Sequence, residues 1–153
     1  MGVLYDYFRA ADDASATKLI ENLDGGPAGA GNSATADAID LKGIDPTVML
    51  AQLVCFVRGV EWSVDVIEEH LVWSRNESAG PWVFSIGDDV RDTLASITEA
   101  QMPGLSARWG RTEELAWDGP LPDDAMLPVI EQISALARRA RDAGDHVYCW
   151  VCV

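Results

Sequence analysis

The stretch 124–153 limits the fold more than any other. Met126, Val129, Ile130, Ile133, Leu136, Ala137 and Ala140 recur at three- and four-residue spacing, which puts them on one helical face. Glu131, Gln132, Arg138, Arg139, Arg141 and Asp142 fall largely on the other face. Asp123 or Asp124 can cap the N-terminus. Pro128 is tolerable because first-turn N–H groups lack helical partners anyway. Arginines gather where they suit the helix dipole, and Gly144 supplies the stop. Residues 146–153 follow, and none after His146 is charged. A half-exposed strand alternates apolar with polar side chains, and this one does not. The pattern predicts a strand covered on both faces, in the middle of a sheet.

The rest of the chain supplies neighbours for that strand. Residues 3–10 read as an aromatic strand that pairs with it or near it. Asp12 and Asp13 start a helix that runs to about Leu23. Residues 25–36 are mostly glycine, alanine and small polar side chains, the composition of a flexible loop or mobile lid. A short extended segment fits around Ile39 and Leu41. Asp45-Pro46 opens an almost wholly apolar helix that Arg58-Gly59 ends. Ser63 is read as the cap of another helix, with Val64, Ile67, Leu71 and Val72 inward and Asp65, Glu68 and Glu69 outward. Residues 81–86 form a third clear strand, and Asp88 or Asp89 caps the helix after it. Pro103-Gly104 breaks that run. A short helix over 105–115 holds Trp109, Glu113 and Glu114. Strands separated by several helices give one α+β domain over 1–153. It contains a small mixed sheet that includes the N- and C-terminal strands, packed by about five helices.

Charge restricts the partners. The net charge is −14, with 25 acidic side chains against 11 basic ones. Such a surface repels nucleic acid and anionic lipid, and suits a basic protein partner. It also serves solubility without any partner. No window approaches the roughly 18 apolar residues that span a bilayer. The three cysteines, Cys55, Cys149 and Cys152, are odd in number, and no basic-then-apolar leader precedes them. A cytoplasmic location is expected.

Catalytic motifs are sparse. Cys149 and Cys152 are spaced as C-x-x-C, but on a strand residues three apart face opposite ways, so both are read as buried structural thiols. His70 follows Glu68-Glu69 without the second helical histidine that a metal site needs. His146 is read as a surface residue. There is no G-x-S-x-G and no phosphate loop. The doublets Asp12-Asp13, Asp88-Asp89 and Asp123-Asp124 precede helices and are read as caps. No catalytic, cofactor-binding or metal residue is assigned, and no cofactor is expected. Trp62, Trp73, Trp109 and Trp117 lie at element ends beside acids, where aromatics either close the core or contact a partner.

In its second half the chain resembles the YfbM-like family of small bacterial proteins. The residues that carry this are 82–86, Asp88-Asp89-Val90, Leu94, Leu105, Arg108-Trp109, the helix ending at 140–145 and the apolar strand after it. The opening Met1-Gly2 with its short aromatic strand is similar to the family's start. The resemblance implies a compact α+β fold and no particular activity.

The functional expectation is therefore a non-enzymatic acidic domain that binds a basic protein. The candidate surface is Trp62, Glu68, Glu69, Trp73, Trp109, Glu113, Glu114 and Trp117. The rival is an enzyme or small-molecule binder with a pocket near the 25–36 loop, which a polar cavity holding His70 would favour.

Overall fold

The structure, a computed structural model, describes residues 2–153; Met1, part of the opening that resembles the family's start, lies outside them. Ten elements follow in order: β1 (Leu4–Ala10), α1 (Asp13–Glu21), β2 (Ala38–Asp40), α2 (Ala51–Arg58), β3 (His70–Ser74), β4 (Trp82–Ser85), α3 (Asp88–Ala95), α4 (Met102–Trp109), α5 (Leu127–Ala143) and β5 (His146–Cys152). A π-helical turn, Pro46–Leu50, leads into α2. The five strands make one sheet in the order β2-β1-β5-β4-β3. β5 enters between β1 and β4 and runs opposite to both. The sheet predicted as mixed is thus antiparallel throughout.

β5 is central and enclosed, as its unbroken apolar run predicts. Val147, Tyr148, Cys149 and Trp150 are all at most 5% exposed. Their alternation divides two cores. Val147 and Cys149 face α2, α3, α4 and α5 together with Tyr7. Tyr148 and Trp150 face α1 with Phe8 and Val83. Tyr148 stacks on its register partner Phe8, with ring centroids 5.5 Å apart. Cys149 is enclosed, whereas Cys152 lies half-buried on the opposite side of the sheet.

α5 closes the larger core. Ile130, Ile133, Leu136, Ala137 and Ala140 are fully buried. Gly144, in the left-handed region, ends the helix and turns the chain into β5. The expected cap is absent: Met126 holds that position with no side-chain bond. Arg138 leaves the polar face assigned to it and donates to the carbonyl of Ala95, the last residue of α3, and to that of Ile97 just beyond it. That satisfies orphan carbonyls at a helix end.

The loop 25–36 is a chain of turns packed over the smaller core. Asn32 is buried and donates to the carbonyls of Asp24 and Gly26. The Ala28 N–H donates to the Asp6 carboxylate at 3.0 Å. A Cβ on Gly26 would collide with that carboxylate and with the Trp150 ring, so only glycine lets the loop lie this close.

Two predicted helices are corrected. Residues 63–72 are turns followed by β3, because pairing with β4 outweighs the three- and four-residue spacing of Val64, Ile67 and Leu71. Pro103 does not break the chain before 105. It sits in the first turn of α4, where its missing N–H costs nothing, and that helix ends at Trp109.

Ile133→Ala should destabilise the protein by about 2–5 kcal/mol, the cost of a cavity in a packed core. Urea unfolding followed by circular dichroism checks this through a lower midpoint at unchanged slope.

Candidate functional site

Three of the side chains singled out from sequence attach to one helical run. The Trp62 indole N–H donates to the Thr47 carbonyl at 3.3 Å. The Trp109 indole donates to the Met49 carbonyl at 2.9 Å. Glu114 accepts from the Gln52 amide at 2.8 Å. These partners lie within 47–52, where Asp45 caps the π-helical turn by accepting from Val48 and Met49 N–H groups.

The other candidates do not join them. Trp73 lies on the far face of the sheet, half-buried against the α1 core. Trp117 is 80% exposed. Glu68 and Glu113 are exposed and Glu69 is half-buried. Trp109 is wholly enclosed, with its one polar group satisfied by Met49, so it presents nothing to a partner and is a core residue.

What remains exposed concentrates in 60–71. Val60, Trp62, Val64 and Leu71 are large apolar side chains with between 42% and 70% of their surface in solvent. The same segment contains Glu61, Asp65, Glu68 and Glu69 and no lysine or arginine. Among the described residues none of these carboxylates enters an ion pair. Ile67, 2% exposed, anchors the segment in the larger core. β3 follows it and is an edge strand, paired only with β4 and bulged between Leu71 and Trp73. Its outer backbone groups face no strand.

Glu69 is the electrostatic focus of this segment. Burial, and then the Asp45 carboxylate nearby, push its carboxyl above the ordinary range. No cation compensates it among the described residues. The site is therefore short of positive charge at the place where apolar surface is also exposed.

The rival location is a cavity of about 540 Å³ beside residues 33–38. Its charged groups are already engaged. Arg9 pairs with Asp37 at 2.6 Å and with Asp145 at 2.7 Å, and Arg139 pairs with Asp37 at 2.8 Å. The two guanidinium groups, Arg139 foremost, hold the Asp37 carboxyl below its usual range. This network ties β1 to α5. His70 lies on β3 instead.

Sequence reasoning missed one polar grouping. His146 Nδ1 lies 2.6 Å from Asp88 Oδ1, and the Tyr148 hydroxyl donates to Asp13 at 2.9 Å. Asp12 does cap α1, by accepting from the Ser15 N–H. The predicted cap of α3 is corrected: Gly87 holds that position without a side-chain bond, and Asp88 and Asp89 both lie in the first turn. The doublets were the available signal, because an acid at a helix start that is not used as the cap is free to reach across the sheet.

No described helix is long and apolar enough to cross a membrane. Among the described residues no three His, Cys, Asp or Glu side chains are grouped to hold a metal ion. No family model, curated protein or solved structure matches the chain.

Glu69→Gln should stabilise the protein at neutral pH and have little effect under acid conditions. A carboxyl raised on folding stays protonated longer in the folded state. Its penalty is absent below the unfolded pKa, grows as pH rises towards the folded pKa, and then stays constant. Melting temperatures of both proteins across the acid-to-neutral range check the sign.

Proposed function

We propose that this protein is an interaction module that receives a basic, extended segment of a partner protein on β3, against the acidic and apolar stretch 60–71. The observation that supports this most is the coincidence of exposed Trp62, Val64 and Leu71 with unpaired Glu61, Asp65 and Glu68 beside an open sheet edge. An added strand would hydrogen-bond to that edge, and alternate side chains would meet Leu71 and the carboxylates. Its cations would also relieve the repulsion between Glu69 and Asp45.

The overall charge supports a basic partner over nucleic acid. Three free thiols support a reducing compartment, and we place the protein in the cytoplasm. Element order in the second half supports a YfbM-like assignment, which brings no activity with it.

The test uses an extended peptide that alternates lysine with valine, titrated while Trp62 fluorescence is followed. Removing three exposed charges, in Glu61→Gln, Asp65→Asn, Glu68→Gln, should weaken binding roughly tenfold, from about 0.5 kcal/mol per exposed pair. Removing Glu21, Asp24 and Asp118 by the same amide substitutions should leave affinity within about twofold, since those acids lie outside the segment. Equal weakening by both triple variants would refute a localised site, as would absence of binding at low salt.

A further inference from the structure

A cavity of about 250 Å³ opens between the C-terminal end of β4 and the N-terminal end of β5. Asp13, Ser85, Gly87, Asp88, His146 and Tyr148 line it. It uses none of the residues 60–71 and stands independently of the docking surface there.

The fold gathers these groups from four elements. Ser85 is the register partner of Tyr148, so their side chains share the face covered by α1. His146 precedes Tyr148 by two residues and is on that face as well. Asp13 comes from the first turn of α1 and Asp88 from the first turn of α3. Gly87 joins β4 to α3 with φ 90° and ψ 147°, a conformation open in practice only to glycine, so the turn from Ser85 to Asp88 is that tight.

Donors and acceptors in the cavity are unequal. A carboxylate only accepts, so the neutral His146 ring must turn its Nδ1–H to Asp88, which leaves Nε2 as an acceptor. Tyr148 is fully buried, and burial followed by the Asp13 carboxylate pushes its hydroxyl far above the ordinary range. It stays protonated, and that proton is committed to Asp13 Oδ1. The second Asp13 oxygen accepts without giving. Arg91, 3.3 Å from Asp88, offsets that carboxylate and leaves Asp13 as the lining acid without a cation partner among the described residues.

An open pocket lined mainly by acceptors, with the Asp13 and Asp88 carboxylates on two sides, favours a compact cation rich in N–H groups. We propose that this cavity binds a primary ammonium group, held between the Asp13 carboxylate, His146 Nε2 and the Ser85 hydroxyl. Three acceptors match the three donors of an ammonium. Two sources share that chemistry: a free small amine and the lysine side chain of a protein.

The experiment follows the His146 imidazole resonance by NMR on the intact protein, at about pH 8, above the ordinary imidazole range. The probes are n-butylammonium for the free amine, acetyl-lysine amide for the protein-borne one, and n-butanol as the uncharged control. Saturable shifts with either cation and none with butanol are expected, and the tighter of the two identifies the source. Asp13→Asn keeps an acceptor for Tyr148 but removes the charge, and should weaken the cation about tenfold or more. The His70 resonance reports that this variant still folds. Ser85→Ala, which removes one neutral acceptor, should weaken it about threefold. No saturable shift with either cation would overturn the proposal. So would equal response to butanol, or unchanged affinity in Asp13→Asn.

Discussion

The pairing of β5 with two strands at once governs the molecule. Seven register pairs join it to β1 and four join it to β4, so nearly every backbone group of β5 is used inside the sheet. Buried peptide groups cost free energy unless bonded, and a central strand satisfies them on both sides. Side chains can then be apolar on both faces without exposing polar backbone. The two cores follow from this: one strand supplies Val147 and Cys149 to the four-helix side, and Tyr148 and Trp150 to the α1 side.

The layers are unequal, and that inequality decides which side chains stay exposed. α5 lies across the larger core, while α1 and the folded loop 25–36 cover the smaller one. Helices leave the end of the sheet near β3 to the irregular segment 60–69, held by Ile67. Ile67 and Val66 are the side chains it packs against the core, while Val60, Trp62 and Val64 stay largely in solvent. The same sheet geometry draws Asp13 and Asp88 from two helix starts to the end of β5, where they meet Tyr148 and His146.

Legibility in the sequence tracks how local the deciding interaction is. α5 and β5 are readable because the spacing from Met126 to Ala140 and the apolar run after His146 each settle their element without outside help. β3 is not readable that way. Val64, Ile67 and Leu71 fit a helix, and what overrides them is pairing of Leu71 with Phe84, thirteen positions on. Trp109 looks like a contact residue beside Glu113 and Glu114, and only the Met49 carbonyl, 60 residues away in sequence, shows it to be core. The segment 60–71 is half legible: the pattern locates its acids and Trp62, but not the edge strand that follows them. The His146–Asp88 and Tyr148–Asp13 contacts span 58 and 135 residues, so neither leaves a local spacing to detect.

The enclosure of β5 is what native-state hydrogen exchange measures most directly. If the strand is held from both sides beneath α5, the amides of Val147 to Val151 exchange more slowly than those of α1 or β3. They do so only through global unfolding, with the free energy found by denaturant. Exchange of these amides through a cheaper, partial opening, ahead of α1 or β3, would contradict a fold organised around β5.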